Sequence, residues 1–382
     1  MRALRILMAT TTVLAGLAVA GRAGAVVAYF SETAPASADY AGTGAQPLVG
    51  DFDGDHRSDV FLYRPGAGAE VLKKGRSNRT FTTVTTGITV AGTFRPIVGD
   101  FDGNKVDDIF WYAPGTAADR LWLFAAGGGH TSIAETVNGT FTPIVGDFVT
   151  SDNGDRTDIF WYAPGTGADY LWRSSGHGGA FASIRKTVDG TYPTPIVGAF
   201  TPDVANGGST DEQLDIFWYG NTSGSPDRLW KGDGNGGFTS KAYSAPDEAR
   251  PVVGFFDGFG VQDILWNRPG GTDSVWLADP DTGNLTPHTA DVGGDVRALV
   301  VQYRVVPEAI YFWSATGTDA LWDFKGAPGA LQYDDGPQNN TDLGAGYQPV
   351  TGDFDFDGST DIYWIKPGAG TEKVWYGPNP DA

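Results

Sequence analysis

The sequence predicts an all-β protein made of seven similar units, each with four short antiparallel strands. A motif that begins Pro-Leu-Val-Gly-Asp-Phe-Asp-Gly has seven copies, some of them altered, and each of the first six units contains four short apolar or aromatic runs separated by turn residues. Helical periodicity is absent, which favours strands. Four strands in a repeat of about 50 residues predict a seven-bladed β-propeller. The copies begin at Pro47, Pro96, Pro143, Pro195, Pro251, Ala298 and Pro349.

The composition excludes several classes of function. Gly and Pro together number 78 of 382 residues, about 20%, which indicates a folded, turn-rich chain. The absence of Cys excludes disulfides, zinc fingers, iron-sulfur clusters and cysteine nucleophiles. The formal charge of −20, from 26 basic and 46 acidic residues, argues against nucleic acid and favours cations or neutral ligands.

The N-terminal segment resembles a secretory signal peptide. Arg2 and Arg5 precede an apolar run at residues 6–20, and small residues provide cleavage positions after Ala20 or Ala25. We therefore expect residues 1–25 to be removed and the protein to be secreted, either extracellular or periplasmic. A membrane-retained anchor is the alternative, and no later run predicts a membrane span. Loss of the three arginines of this segment takes the formal charge from −20 to −23.

The remaining residues, 26–382, are expected to form one domain with joined ends. The last repeat stops after three strands, whereas the run Val26–Ser31 precedes the first repeat where a fourth strand is needed. Pairing of the N- and C-terminal strands would close the propeller without leaving open sheet edges.

Two residue types occupy fixed columns of the repeat. The 12 Trp fall in the second and third strands, where we expect them to pack between adjacent sheets, with sugar stacking as the alternative. Blade 1 has Leu62 and Leu72 at these places. A glycine column in the first strands indicates little room for side chains there. The Trp columns are Trp111, Trp161, Trp218, Trp266, Trp313, Trp364 and Trp122, Trp172, Trp230, Trp276, Trp322, Trp375; the glycines are Gly50, Gly99, Gly146, Gly198, Gly254 and Gly352.

The turn between the first and second strands carries the most specific chemistry. In blades 1, 2 and 7 it places side-chain oxygens at positions 1, 3, 5 and 9, and a backbone carbonyl is expected at position 7. Such an all-oxygen set, crowded with carboxylates, favours Ca²⁺. The predicted ligands are Asp51, Asp53, Asp55, Arg57, Asp59; Asp100, Asp102, Asn104, Val106, Asp108; and Asp353, Asp355, Asp357, Ser359, Asp361. Gly54, Gly103 and Gly358 are expected to ease the bending of these turns.

The motif Val-Gly-Asp-Phe-Asp-Gly followed by Asp-Ile-Phe-Trp resembles the FG-GAP, or VCBS-type, repeat of the integrin α-subunit propeller and of many secreted bacterial proteins. The resemblance covers residues 26–382. It implies the propeller fold and calcium ligands at the positions named above in blades 1, 2 and 7. It leaves the activity open, because the family includes adhesion modules, lectin-like proteins and appendages of lyases and hydrolases.

The other blades depart from the calcium pattern. In blade 3, an insertion leaves Asp152 and Asp155 as alternative ligands, so three or four sites are expected. Blade 4 has Ala199 at the first ligand position, blade 5 has Phe255 and Phe259, and blade 6 has lost the motif. We expect the ions mainly to stabilise acidic turns, with ligand bridging as the alternative.

A second set of acids precedes the third strands. We expect it to accept backbone N-H groups, with a multivalent sugar site as the alternative. This set comprises Asp119, Asp169, Asp227, Asp273, Asp319 and Glu372.

The sequence contains no hydrolase elbow, zinc-protease or phosphate-loop motif, and the four His are expected at the surface. The predicted function is therefore a noncatalytic, monomeric binding or adhesion module for an extracellular glycan or protein. A polysaccharide lyase or hydrolase is the alternative enzyme, with Arg268, Tyr303, Arg304 and Glu308 as its candidates. A purely structural surface protein is a third possibility.

Overall fold

The fold is taken from a computed structural model of the 382-residue chain. The predicted signal segment, the alternative ligands Asp152 and Asp155, and the enzyme candidates Tyr303, Arg304 and Glu308 lie outside the described residues. The structure describes residues 31–33, 44–66, 68, 70–115, 117–150, 156–165, 167–176, 178–202, 213–221, 226–258, 260–290, 292, 296–302, 309–313, 320–324, 333–335, 346–366 and 372–377.

The described residues contain 28 β-strands and no α-helix. The first strand is β1 (Ser31–Thr33). Blade 1 follows with β2 (Gln46–Gly50), β3 (Asp59–Tyr63), β4 (Val71–Arg76) and β5 (Thr80–Val84). Blade 2 has β6 (Arg95–Gly99), β7 (Asp108–Tyr112), β8 (Asp119–Ala125) and β9 (Gly129–Glu135). Blade 3 has β10 (Thr142–Gly146), β11 (Asp158–Tyr162), β12 (Asp169–Ser174) and β13 (Phe181–Lys186).

The remaining strands repeat this pattern. Blade 4 has β14 (Thr194–Gly198), β15 (Asp215–Tyr219), β16 (Asp227–Gly232) and β17 (Phe238–Tyr243). Blade 5 has β18 (Arg250–Gly254), β19 (Asp263–Asn267), β20 (Asp273–Ala278) and β21 (Leu285–Ala290). Blade 6 has β22 (Arg297–Val301), β23 (Ala309–Trp313), β24 (Ala320–Phe324) and β25 (Tyr333–Asp335). Blade 7 has β26 (Gln348–Gly352), β27 (Asp361–Ile365) and β28 (Lys373–Tyr376).

The strands form seven four-stranded antiparallel sheets, which confirms the predicted all-β, seven-bladed β-propeller fold. β1 pairs with β28 and supplies the fourth strand of blade 7, with Glu32 opposite Trp375. A terminal strand is thus paired here, but it shares only Ser31 with the predicted run 26–31, whose residues 26–30 lie outside the described chain. Across the described residues, no helix has the length and apolar character needed to cross a membrane.

Contacts divide the chain into two compact units. The first contains blades 2, 3 and 4 within residues 93–247, together with residues 52–55. The second contains the described parts of residues 16–51, 56–92 and 248–382, with blades 1, 5, 6 and 7.

The glycine column meets the neighbouring blade at very short range, as expected. A Cβ added at Gly99 would lie 2.5 Å from the Thr157 side chain, and one added at Gly352 would lie 2.6 Å from Ser58. The same two neighbours donate their backbone N-H groups to first-loop carbonyls, Thr157 to Asp100 and Ser58 to Asp353, both at 2.8 Å. Each glycine therefore permits a close backbone contact between consecutive sheets.

The core lies between the faces of consecutive sheets, which confirms the packing interpretation for the second-strand Trp column. Trp161 is 1% exposed and packs against Phe110 and Tyr112 of the preceding blade, with ring centroids 5.6 and 4.9 Å apart. It also meets Trp172 of its own blade edge to face at 5.4 Å. The pattern repeats around Trp218, which supports a packing requirement shared by the blades.

Blade 1 corrects one sequence assignment. Val60 pairs with Lys73 as Ile109 pairs with Trp122, so the residue at the third-strand Trp position is Lys73, not Leu72. Counting from Glu70, the acid that precedes this strand, gives the same register. In the second unit, the buried Lys73 Nζ lies 2.9 Å from Glu372 Oε2 and 2.7 Å from Tyr363 Oη. A buried ion pair therefore replaces a Trp contact between blades 1 and 7.

Pairing of β1 with β28 can be tested with prolines. Ser31→Pro/Glu32→Pro should destabilise the protein by about 2 kcal/mol, because proline removes N-H donors and restricts the backbone of a paired strand. Urea unfolding monitored by circular dichroism measures the loss, with Ser31→Thr/Glu32→Thr as the control. Equal stability of the proline and threonine variants would contradict the pairing.

Candidate metal centres

The three acidic turns share one backbone path, set by residues with positive φ at positions 4 and 6. These residues are Gly54 and His56 in blade 1, Gly103 and Lys105 in blade 2, and Phe356 and Gly358 in blade 7, with φ between 62° and 85°. The left-handed region favours glycine. Gly54 and Gly103 adopt the positive φ of position 4 without strain, as expected. In blade 7 the glycine, Gly358, lies at position 6, and Phe356 adopts the positive φ at position 4.

This path directs backbone N-H groups toward the first acid of the loop. In blade 2, Asp100 accepts hydrogen bonds from the N-H groups of Gly103 and Lys105, both at 2.7 Å. In blade 7, Asp353 accepts from Asp357 at 3.1 Å and Gly358 at 3.0 Å. The side chain of the fifth residue also bonds the loop backbone, because Asn104 Oδ1 accepts a hydrogen bond from Val106 N at 2.7 Å. The sequence thus builds two nearly identical acidic turns in different blades.

The turns gather carboxylates in the three predicted blades. In each group, one oxygen per residue lies within 4.8 Å of the others. Asp55 and Asp361, which the sequence also predicts as calcium ligands, do not belong to these groups. Arg57, Val106 and Ser359 occupy the expected seventh loop position in all three turns. The groups are Asp51, Asp53, Asp59; Asp100, Asp102, Asp108; and Asp353, Asp355, Asp357.

Electrostatics make these clusters suitable for a hard cation. Burial raises the pKa of Asp353 to about 6, and the negative charges of Asp355 and Asp357 add to this effect. Burial also raises the pKa of Asp100, with a smaller contribution from Asp102. The charged forms are therefore disfavoured without a compensating positive charge. Oxygen donors alone, without His or Cys, fit Ca²⁺ by their chemistry.

Blade 7 receives a positive charge from another blade. Arg79 lies in the β4–β5 turn of blade 1, where its φ is 61°. Its Nε lies 2.8 Å from Asp355 Oδ2, and its terminal nitrogen lies 3.2 Å from Asp357 Oδ2. The Arg79 guanidinium therefore partly neutralises both carboxylates without a metal ion. Sequence reasoning missed this contact, because nothing in the turn itself indicates which neighbouring loop it reaches.

The last acid of the loop also has a structural role, and Asp108 has it in addition to its place in the blade 2 carboxylate group. Asp108 accepts hydrogen bonds from Phe101 N at 2.9 Å and Phe124 N at 2.8 Å, while burial raises its pKa to about 8. Asp361 accepts from two N-H groups in the same way, and its pKa is raised to about 9.

Blades 4 and 5 contain this acid, although their described residues include no cluster of three carboxylates. Asp215 accepts from Gly232 N at 2.9 Å, and Asp263 accepts from Phe256 N and Ala278 N at 2.8 Å. Burial raises the pKa of Asp215 to about 7 and that of Asp263 to about 8. The last loop acid, just before the second strand, therefore fixes backbone geometry whether or not a metal ligand set is present.

The acids before the third strands behave as predicted. Asp169 joins two turns by accepting from Ala163 N and Val188 N, both at 2.7 Å, and it is fully buried. Asp119, Asp227 and Asp273 repeat this double contact. Their burial leaves no surface for the alternative sugar site. Glu372 differs, because it bonds Lys73 and Tyr363, and Asp319 lies outside the described residues.

Two of the predicted surface histidines lie in strands. His130 is in β9 and stacks on Trp122 with ring centroids 3.9 Å apart, so it is half-buried in an aromatic contact. Burial lowers its pKa. His288 is in β21. The weak enzyme candidate Arg268 donates its backbone N-H to Asp273 at 2.6 Å, which places it in the structural turn.

Comparisons with known proteins extend the fold assignment. No family model matches the chain, and no curated protein matches it significantly. A lectin of Agrocybe aegerita, described by its specific recognition of non-reducing terminal N-acetylglucosamine, is similar at 15% identity over 76% of this chain and 80% of its own, with a TM-score of 0.57. BBS1N, in complex with ARL6DN in a mercury-soaked crystal, is similar at 10% identity over 92% and 98%, with a TM-score of 0.53. At these identities the likeness supports the fold alone.

The buried acids of the third-strand turns make a direct prediction. Asp169→Ala should reduce the free energy of unfolding by roughly 3 kcal/mol, because two buried N-H groups lose a charged acceptor. Asp189→Ala removes an exposed acid nearby and should change stability little. Urea unfolding curves of the two variants provide the measurement. Similar stabilities would show that Asp169 is not needed to hold these turns.

Proposed function

We propose that the protein is a secreted, calcium-binding propeller of the FG-GAP or VCBS type that binds an extracellular glycan or protein without catalysis. The observation that carries this proposal is the recurrence of close carboxylate groups in blades 1, 2 and 7, at the loop positions that the repeat motif nominates. Secretion is supported by the signal-like sequence of residues 1–25.

Calcium would act in these turns mainly as a structural ion. In blade 2, Asp100, Asp102 and Asp108 offer oxygens, and Asn104 and the Val106 carbonyl complete the proposed set. The backbone path of the turn positions these oxygen donors, and the N-H groups of Gly103 and Lys105 hold the Asp100 carboxylate in place. In blade 7, Arg79 competes for Asp355 and Asp357, so we expect this site to bind calcium more weakly than the blade 2 site.

A binding role is supported by the kinds of protein that share the fold. One is a lectin that recognises a terminal sugar, and another is a protein seen in complex with a protein partner. The repeated acids before the second strands and before the third strands hold backbone N-H groups, so none of them indicates a catalytic pair. These points favour binding over turnover, and the alternative lyase or hydrolase becomes an outcome of the test.

Calcium should stabilise the protein in a pH-dependent manner. In the metal-free protein, the pKa of Asp353 is about 6, above its ordinary value of 3.8. Its contribution to stability is therefore present below about pH 4 and is lost as the pH rises through 6. Calcium binds the ionised carboxylates, so the rise in melting temperature on adding calcium should be larger at pH 7.5 than at pH 5.

The ion count can be tested with a matched pair of variants. Asp100→Asn/Asp102→Asn should remove one ion from a titration of chelator-treated protein, whereas Asp189→Asn/Asp281→Asn removes the same charge from exposed positions and should remove none. Isothermal titration calorimetry measures the count. A melting temperature that is unaffected by excess chelator, at both pH values, would contradict calcium binding.

The binding function is tested by screening residues 26–382 against glycan and matrix-protein arrays, with product analysis of the same polysaccharides. We expect saturable binding without release of oligosaccharides. Released oligosaccharides would instead identify the protein as an enzyme. Absence of any saturable ligand would favour the purely structural role.

A further inference from the structure

An open cleft lies between β13 of blade 3 and the β16–β17 pair of blade 4, within the first compact unit. Its volume is about 470 Å³, which falls in the range of roughly 300–1,000 Å³ found for ligand pockets. Two cations, two aromatic rings and two hydroxyl groups line it: Arg185, Lys186, Trp230, Phe238, Thr187 and Ser240.

The aromatic wall of the cleft is more open than the Trp core. Trp230 and Phe238 are both half-buried, whereas Trp218 beside them is fully buried. Their ring centroids lie 5.4 Å apart at an interplanar angle of 33°. The rings thus present an apolar surface next to the hydroxyls of Thr187 and Ser240, a combination that suits the apolar face and hydroxyl groups of a pyranose.

Blade 2 and blade 3 provide an internal comparison. Trp172 and Phe181 repeat the ring pair at 5.4 Å and 34°, and Ser183 and Thr136 stand at the positions of Ser240 and Thr187. The strand register therefore shows which features the fold itself repeats: the aromatic pair and the two hydroxyl residues.

The two cations are the part that does not repeat. Lys186 pairs with Asp169 as Glu135 pairs with Asp119, so blade 2 has Ala134 and Glu135 where blade 3 has Arg185 and Lys186. Since blade 2 forms the same strand with an inverted charge, packing does not require the cations. A position that changes while its surroundings repeat is a candidate for ligand recognition.

The two cleft cations belong to a part of the chain that is richer in basic residues than the whole. Blades 3 and 4 have six basic residues in their outer two strands, although acids exceed bases by 20 over the whole sequence. Lys186 Nζ lies 5.6 Å from the centroid of Phe238, so its charge is held at the aromatic wall. Burial lowers the pKa of Lys186, against a smaller opposing effect of the nearby Asp233 carboxylate, whereas burial raises that of Glu135 at the equivalent place. The six are Arg173, Arg185, Lys186, Arg228, Lys231 and Lys241.

We propose that this cleft binds an anionic pyranose, carboxylated or sulfated, at the end of a glycan, with Arg185 and Lys186 contacting the anion and Trp230 and Phe238 the sugar ring. The assignment rests on the proposed binding function and names its ligand class. A single charged sugar fits better than a long polyanion, because attraction to the two cations is local, whereas the net charge of −20 repels an extended anion.

The test uses three oligosaccharides that differ only at the terminal residue: glucuronate, glucose 6-sulfate or glucose. Calorimetry on residues 26–382 should show at least about tenfold tighter binding of an anionic end than of the neutral end. Comparison of the two anionic probes separates carboxylate from sulfate recognition. Arg185→Gln/Lys186→Gln should abolish the preference, and Lys231→Gln/Lys241→Gln, which removes the same charge outside the cleft, should retain it.

A gain of function provides the sharpest outcome. Ala134→Arg/Glu135→Lys gives blade 2 the charges of blade 3 and should increase the stoichiometry from one anionic sugar to two. Equal binding of neutral and anionic ends, no binding of any of the three, or equal losses in the two glutamine pairs would overturn the cleft assignment. If array ligands still bind the Arg185→Gln/Lys186→Gln variant normally, the binding function stands and the cleft assignment fails. If the native protein binds no array ligand at all, the binding function itself fails.

Discussion

Buried carboxylates that accept backbone N-H groups are the interaction on which this structure depends. A blade consists of short strands joined by tight turns, and each turn leaves N-H groups that the sheet cannot bond. Asp108 and Asp263 bond those groups at one kind of turn, and Asp169 bonds them at the other. Because an unsatisfied buried N-H group costs about 1–3 kcal/mol, the acids recur for a structural reason before any ligand is considered.

This constraint separates structure from function within the repeat. Contacts that most blades share, such as the buried Trp column and the last loop acid, answer a requirement of the fold. Departures from the pattern need another explanation. Arg185 and Lys186 replace Ala134 and Glu135 in a repeated setting, and Arg79 of blade 1 contacts two acids of the blade 7 group. Function in a repeat protein is best sought at such departures.

The sequence predicted the larger features because they depend on spacing. Seven motif copies predicted seven sheets, and the spacing of oxygen-bearing side chains at loop positions 1, 3, 5 and 9 predicted which turns gather carboxylates. It failed where a residue acts on another repeat or where register decides. Lys73, not Leu72, takes the Trp position and pairs with Glu372 almost 300 residues away. The sequence shows Gly358 at position 6 of the blade 7 turn, but only the backbone shows that Phe356 takes the positive φ of position 4. The basic cleft could have been found by aligning β9 with β13.

The most direct test of this account is the stability of Asp263→Ala with and without calcium. Asp263 accepts hydrogen bonds from three backbone N-H groups in blade 5. The described residues of this blade include no cluster of three carboxylates like those of blades 1, 2 and 7. The account predicts a loss of roughly 3 kcal/mol in urea unfolding, equal in calcium and in chelator. A loss that is seen only in calcium, or no loss in either condition, would contradict it.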